Sequence, residues 1–114
     1  MDNIRLFCYG TLCRGKSNFY ILHDCKMVDT GWLKGFEMWQ SIIPYVCRSK
    51  DPEKRVYGEI YEVPVNLILN KIDILEGHPD FYRREFVDQL GGVWIYLCDS
   101  VKWGCVPVEN GIWR

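Results

Sequence analysis

Short apolar runs separated by glycines and polar turns dominate the chain, and this pattern predicts strands more than helices. Residues 4–9 form an apolar run that ends at Gly10, which is typical of a buried strand. Residues 26–40 are also rich in strand formers, but their two internal glycines indicate either two strands or one bent strand. Residues 55–63 alternate around Gly58 and predict a half-buried strand in which the glycine permits a close approach.

One segment has helical periodicity instead. Pro64 suits the first position of a helix because the N–H that proline lacks has no partner there, and Gly77 supplies a stop signal. Four apolar residues between them recur at spacings of three, four and three, forming one stripe of an amphipathic helix: Val65, Ile68, Ile72 and Leu75. Asn18 is expected to be the N-cap of a shorter helix over residues 19–22.

The rest of the chain contains a predicted loop and a predicted hairpin. Residues 41–54 hold two prolines and several charges, so we expect a long surface loop. Residues 82–90 and 93–99 are β-rich, and the two glycines between them fit the left-handed angles of a tight hairpin turn. Together these elements predict an α+β fold, a small and mostly antiparallel β-barrel with one or two packed helices. Residues 1–114 contain no linker or repeat, so we expect a single domain.

The amino-acid composition limits the kinds of molecule that the chain is expected to bind. The 114 residues carry 14 Lys+Arg against 15 Asp+Glu, a formal net charge of -1, and 48% of them are hydrophobic. That apolar content and low net charge exclude disorder, and the lack of a basic excess argues against nucleic acid as the main partner. The apolar runs fall far short of the roughly 20 residues of a membrane span. We therefore expect a small-molecule site or a protein-binding surface.

Six cysteines are scattered along the chain without a C-x-x-C pair: Cys8, Cys13, Cys25, Cys47, Cys98 and Cys105. Their spacing argues against a structural zinc site. Residues 1–5 lack the charged lead and the apolar run of a signal peptide. We therefore favour reduced thiols, acting as small buried hydrophobes in a cytoplasmic protein, over a disulfide framework.

Three places in the chain could carry chemistry. The N–H groups of Gly10, Thr11 and Leu12, after the first strand, could form a concave cluster of donors for a carboxylate or carbonyl oxygen, although a plain turn is the commoner meaning of such a glycine. Glu76 flanks the apolar stripe at the end of the predicted helix. Partial burial and the helix dipole would both raise the pKa of the Glu76 carboxyl, which suits a general acid or base. A solvated glutamate on the last turn is the simpler alternative.

Tyr82 and the two arginines after it form a third candidate. The Tyr82 hydroxyl could hold a carboxylate, or the ring could be a core aromatic with a solvated tip. Arg83 and Arg84 point to opposite faces of a strand, so only one can approach a buried site, and we expect Arg84 to be surface charge at a sheet edge. Neither histidine stands at a spacing that marks it as the base of a cysteine nucleophile, and we reject that interpretation.

In combination these segments resemble the gamma-glutamylcyclotransferase-like superfamily. The similar segments follow one another in the order that the family has: residues 7–12 with Arg14, Gly15 and Asn18, residues 56–61, residues 72–79 with Tyr82 and Arg83, residues 94–96, and residues 109–113. The resemblance therefore spans nearly the whole chain. It is nearest to the compact branch that includes gamma-glutamylamine cyclotransferases.

This resemblance implies a fold, a reaction and a set of site residues. The implied fold is a small α/β barrel with the site at one end. The implied reaction converts a gamma-glutamyl amine or gamma-glutamyl amino acid to 5-oxoproline and releases the amine, with Glu76 as general acid/base and no metal or cofactor. The implied substrate contacts are the N–H groups of Gly10, Thr11 and Leu12, the pocket wall at Tyr9 and, more weakly, Tyr82.

Two alternatives stay open at this point. A non-catalytic module on the same fold could use the cavity to sequester a small metabolite, or could dock on a protein. A weaker hypothesis is a Cys-dependent redox protein, because Cys8 and Cys13 flank the loop after the first strand. The fate of the ligand separates the first alternative from the enzyme, since a binding module returns its ligand unchanged.

Overall fold

Residues 2–100 and 103–114 are described by the structure, a computed structural model, and within them the chain forms eight strands and one helical segment. The strands are β1 (Asn3–Cys8), β2 (Lys26–Lys34), β3 (Phe36–Gln40), β4 (Pro44–Arg48), β5 (Arg55–Pro64), β6 (Arg83–Val87), β7 (Val93–Leu97) and β8 (Val106–Pro107). A 3-10 turn covers Phe19–Ile21. The helical segment 65–76 consists of α1 (Val65–Leu67), a π-helical stretch (Ile68–Ile72) and α2 (Asp73–Glu76).

The strands form two sheets. Five strands pair in the order β2-β5-β1-β7-β6, and all of these pairs are antiparallel except β1 with β7, where Leu6 lies opposite Trp94. The other three strands pair antiparallel in the order β4-β3-β8. The predicted α+β fold with mostly antiparallel pairing is confirmed. Within the described residues no strand pairing joins the two sheets, so the expected closed barrel is not confirmed.

Alternation along β1 divides the core into two parts. Leu6 and Cys8 point to one face and belong to the same buried cluster as Ile68 and Ile72 of the helical segment. Phe7 points to the other face and packs among side chains of β2, β3 and β4. Successive side chains of a strand point to opposite faces, so the end of β1 is buried on both sides. The loop that follows β1 therefore starts from a fixed point.

Gly58 of β5 marks the closest approach in this core. A Cβ atom at Gly58 would lie 2.5 Å from Cε1 of Phe7 and 2.6 Å from the carbonyl oxygen of Cys8. No side chain fits at these distances, so only glycine lets the backbone of β5 lie directly against the Phe7 ring. The close approach predicted for this glycine is confirmed.

The prediction of a surface loop over residues 41–54 is wrong for its central part. Pro44–Arg48 forms β4, and Val46 and Cys47 in it are buried. The prolines and charges that suggested a loop lie at the two ends of the strand or outside it. Pairing with β3, the strand just before it, is what makes this short apolar run a strand.

The helix and the hairpin also differ in detail from their predictions. Ile68 and Ile72 are buried, but Leu75 is 43% exposed, because a π-helical turn holds more residues than an α-helical one and rotates the stripe beyond Ile72. β6 and β7 pair as the expected hairpin, but residues 88–92 connect them, with Leu90 at φ 54 before the two glycines. In the described part of the chain no helix is long and apolar enough to cross a membrane.

Candidate active site

One asparagine organises the loop after β1. The Asn18 N–H donates to the Thr11 carbonyl oxygen at 2.9 Å, and Asn18 Nδ2 donates to Thr11 Oγ1 at 2.9 Å. The Cys13 N–H closes a turn on the Gly10 carbonyl at 3.0 Å. The prediction that the Asn18 side chain caps a helix is wrong, since it makes no cap hydrogen bond, and the following 3-10 turn begins on the Asn18 carbonyl alone.

The N–H groups of this loop remain available to a ligand. Within residues 2–100 and 103–114 no hydrogen bond uses the N–H of Gly10, Thr11 or Leu12, although the first two carbonyls are both engaged. A Cβ at Gly10 would lie 3.1 Å from Cγ of Pro44, so glycine allows the loop to pass close to β4. Backbone donors need a partner such as water or a ligand. This loop therefore suits an anionic or carbonyl oxygen.

Glu76 ends the helical segment. Gly77 follows it in the left-handed conformation, φ 68 and ψ 35, and stops the helix as predicted. The Glu76 carboxyl is half-buried and accepts no hydrogen bond from any described residue. Burial raises the pKa of this carboxyl from 4.5 to about 7. The Glu76 side chain can therefore exchange a proton near neutral pH.

The loop and Glu76 line one cleft that opens to solvent. The wall contains all six residues predicted for the site and six others: Tyr9, Gly10, Thr11, Leu12, Glu76 and Tyr82, with Leu6, Phe7, Cys8, Ile43, Pro44 and Tyr96. Among these lining residues Glu76 is the one carboxylate. Within the described ranges no group of three or more His, Cys, Asp or Glu side chains is placed to hold a metal ion. The structure thus gathers the six residues, while their roles stay predictions.

Two tyrosine hydroxyls in the cleft wall are engaged with backbone carbonyls. Tyr9 Oη donates to the Tyr96 carbonyl at 2.6 Å, and Tyr82 Oη donates to the Pro44 carbonyl at 2.8 Å. Burial is the main cause that raises the pKa of both hydroxyls, so both stay protonated at neutral pH. A hydroxyl that has given its hydrogen to a carbonyl presents lone pairs to the cleft. In this arrangement Tyr82 holds Pro44 in the wall instead of donating to a ligand.

A largely buried ion pair on the helix that carries Glu76 was missed by the sequence analysis. Asp73 Oδ1 accepts hydrogen bonds from Arg84 Nε at 3.0 Å and from Tyr96 Oη at 2.6 Å, and Asp73 Oδ2 accepts one from Arg84 Nη2 at 3.1 Å. Burial alone would raise the pKa of Asp73, but these hydrogen bonds and the Arg84 charge outweigh it and hold the pKa below its usual value. The available signal was the spacing, because Asp73 stands three residues before Glu76 and so on the same side of the helix.

The expectation that Arg84 is surface charge is wrong. The Arg84 side chain is 19% exposed and pairs with Asp73. Arg83 is the exposed member of the pair and forms salt bridges with Glu85 and Asp99. The alternation of faces was predicted correctly, but which face lies inside depends on the helical segment packed against it.

The cysteines near the cleft are poor nucleophiles. Burial is the main cause that raises the pKa of the Cys8 thiol well above its usual value and that of Cys13 to about 12. His78 Nδ1 accepts the Arg84 N–H at 3.0 Å, and His23 is exposed and bonded to Tyr20. No disulfide joins any of the six cysteines, all of which lie in the described part of the chain. These observations agree with the preference for reduced thiols and with rejecting a cysteine nucleophile.

Comparison with protein families covers almost all of the chain. The family model described as "Gamma-glutamyl cyclotransferase, AIG2-like" matches residues 6–114. The chain belongs to this family. The resemblance that the sequence segments carried is thereby confirmed, and the matched range includes the β1 loop, Glu76 and the Asp73–Arg84 pair.

The names of individual relatives agree with the match of this chain to the gamma-glutamyl cyclotransferase family. A Methanocaldococcus jannaschii protein provisionally named as a gamma-glutamylcyclotransferase is 40% identical over 84 residues, 72% of this chain and 68% of that protein. Gamma-glutamylaminecyclotransferase A of Danio rerio is 33% identical over 93 residues, 71% of this chain and 55% of that protein. The chain spans about half to two thirds of the length of the curated relatives it matches.

A solved structure supports the fold. The crystal structure of an uncharacterized Pyrococcus horikoshii protein superposes with a TM-score of 0.81 at 24% sequence identity, covering 96% of this chain and 88% of that one. This likeness concerns the arrangement of strands and helix, and it agrees with the two sheets described above.

Proposed function

We propose that this protein is a gamma-glutamyl cyclotransferase, which converts a gamma-glutamyl amine or gamma-glutamyl amino acid to 5-oxoproline and releases the amine. The observation that carries the proposal is the placement of one half-buried carboxyl, Glu76, in the same cleft as the unused N–H groups of Gly10, Thr11 and Leu12. The cleft offers one proton carrier and one cluster of hydrogen-bond donors, and an intramolecular acyl transfer needs both.

The chemistry follows from the substrate. Its α-ammonium group cannot attack its own γ-carbonyl until it loses a proton, and the Glu76 carboxylate accepts that proton. The freed nitrogen forms a bond to the γ-carbonyl carbon and closes the five-membered ring, while the N–H groups of the β1 loop stabilise the oxygen that becomes negative. Protonated Glu76 then gives its proton to the leaving nitrogen as the old C–N bond breaks. The second proton that the ring nitrogen must lose passes through the Glu76 carboxylate to the released amine, which departs as its ammonium ion and leaves Glu76 ionised again. Because both reacting groups belong to one molecule, holding the glutamyl chain curled supplies much of the rate.

The carboxyl pKa suits both halves of this cycle. A general acid/base works best when its pKa lies near the working pH, and that of Glu76 lies at about 7. The pKa also predicts that kcat/KM rises as the pH passes upward through about 7, because the ionised carboxyl is the form that starts the reaction.

The decisive experiment measures 5-oxoproline by mass spectrometry after incubation with a panel of gamma-glutamyl amines and gamma-glutamyl dipeptides. The panel begins with amines, since the name of the Danio rerio relative specifies gamma-glutamylamines. We expect turnover by the native chain, a loss of at least about 100-fold in Glu76→Gln, and normal turnover in Glu53→Gln, which removes the same charge from an exposed position. Folded protein that yields no 5-oxoproline from any substrate contradicts the proposal. Thermal stabilisation by a ligand recovered unchanged then favours the non-catalytic binding module.

A further inference from the structure

Asp73 is the one buried charged residue in the described part of the chain, with 8% of the residue's surface exposed. A carboxylate removed from water needs a full set of partners, or its ionised form is strongly unfavourable. Arg84 supplies two of them in a bidentate pair, and the Tyr96 hydroxyl supplies the third. Such a fully satisfied network has one geometry and resists movement of any member.

The network reaches the β1 loop through a single residue. The Tyr96 hydroxyl donates to Asp73 at 2.6 Å, and the Tyr96 carbonyl accepts the Tyr9 hydroxyl at 2.6 Å. Tyr9 directly precedes Gly10, the first of the loop residues with an unused N–H. Tyr96 of β7 thus connects the helix that carries Glu76 with the loop on the other side of the cleft.

The network also closes the turn on the far side of Glu76. The His78 N–H donates to the Asp73 carbonyl at 2.9 Å, and the Arg84 N–H donates to His78 Nδ1 at 3.0 Å. Glu76 therefore lies between Asp73, three residues before it, and His78, two residues after it. Asp73 and His78 are hydrogen-bonded to each other, and each is also hydrogen-bonded to Arg84.

The Asp73–Arg84 pair also bears on the charges near Glu76. The other titratable groups that face Glu76 come from β1, the turn before β6, and β7: Cys8, Tyr9, Tyr82 and Tyr96. Burial is the main cause that raises the pKa of all four, so they are neutral at neutral pH. Asp73, three residues before Glu76 on the helix, and its partner Arg84 carry opposite charges, and burial is the cause that raises the pKa of Glu76. Removing either partner leaves the charge of the other uncompensated near the helix end that carries Glu76.

We propose that Asp73, Arg84 and Tyr96 form a positioning triad, which holds the helix end carrying Glu76 against the β1 loop and keeps the surroundings of Glu76 electrically neutral. The catalytic consequence rests on the proposed function, but the effect on Glu76 itself does not. The three residues act through Glu76 and the loop, so they are positioning residues.

The test is the titration of the Glu76 carboxyl, followed by carbon-13 NMR in the native chain and its variants. Asp73→Asn leaves the Arg84 cation unbalanced and should lower the pKa of Glu76, while Arg84→Gln leaves the Asp73 anion and should raise it. Unit charges separated by roughly one helical turn, at an effective dielectric constant between about 20 and 80, predict shifts on the order of one pH unit. The double variant should return the pKa toward its native value. Arg83→Gln, at the neighbouring exposed arginine, is the matched control and should leave it unchanged.

Activity supplies the second readout. Tyr96→Phe keeps the ion pair but cuts the link to Asp73, so we expect kcat to fall about 10-fold with little change in the acidic limb of the pH profile. If Arg84→Gln does not fold, Asp73→Asn and the double variant still give different expectations, a lowered pKa of Glu76 in the first and a near-native pKa in the second. A Glu76 titration that is the same in Asp73→Asn, Arg84→Gln and Arg83→Gln overturns the triad, whatever the activity. Native protein without turnover, but with shifted titrations in the variants, overturns the proposed enzyme and leaves the triad standing.

Discussion

Replacing Glu76 by glutamine should stabilise the folded protein at alkaline pH. The Glu76 carboxyl is half-buried, and no described residue donates a hydrogen bond to it, so its ionised form is poorly solvated. Glutamine has nearly the same shape but does not ionise. The Glu76→Gln variant therefore removes the buried charge while the cleft wall stays in place.

The sign and size of the effect follow from the two states of the carboxyl. Its pKa is 4.5 in the unfolded reference and about 7 in the folded chain, because burial disfavours the charged form. Between these pH values the folded state holds the proton more tightly than the unfolded state, so the free energy of unfolding falls as the pH rises. At about 1.4 kcal/mol per pH unit, ionised Glu76 costs the folded state about 3 kcal/mol above pH 7.

Urea denaturation of both proteins at pH 4.5 and pH 8 measures this cost. The free energies of unfolding should nearly coincide at the lower pH, and at pH 8 the variant should be more stable by about 3 kcal/mol. Glu53→Gln is the control, since it removes the same charge from an exposed position. A stability gain of the same size at both pH values, or an equal gain in Glu53→Gln, would refute the argument from burial.

Three further predictions concern the surroundings of the cleft. Gly58→Ala should lower the free energy of unfolding by about 1–3 kcal/mol in urea denaturation, because its Cβ overlaps the Phe7 ring. A normal urea midpoint would contradict that overlap. Asn18→Ala should cost about 1 kcal/mol and raise KM more than it lowers kcat, because the Thr11 loop loses the side-chain half of its clamp. Unchanged kinetics would show that the loop needs only the backbone bond. Turnover should survive iodoacetamide at neutral pH, since burial raises the pKa of Cys13 to about 12, and a loss of turnover that follows thiol modification would revive the cysteine hypothesis.

Local patterns were enough to predict most of the elements. The apolar run before Gly10, the alternation around Gly58 and the stop at Gly77 each depend on a few adjacent residues, and each was predicted correctly. The family resemblance drew on the same short segments, and it placed six residues that the structure brings to one cleft.

The errors arose where a residue depends on contacts or backbone geometry that the nearby sequence does not reveal. Pro44–Arg48 is a strand because β3 lies beside it, and its prolines and charges conceal that pairing. Asn18 bonds to Thr11, seven residues earlier, instead of capping the helix next to it. Leu75 is exposed because a π-helical turn lies before it, which the apolar spacing does not reveal.

The sequence by itself determined which segments are apolar, where the chain turns, and that a carboxyl stands at the end of the helix. Those features depend on side-chain type and backbone preference within a few residues. Only the tertiary structure decided that Glu76 is half-buried without a hydrogen bond, that Arg84 and not Arg83 is inside, and that Asp73 is joined to Tyr96, 23 residues away. Burial and charge pairing arise from elements that meet across the fold, so the chemistry of the cleft depends on contacts that no local pattern contains.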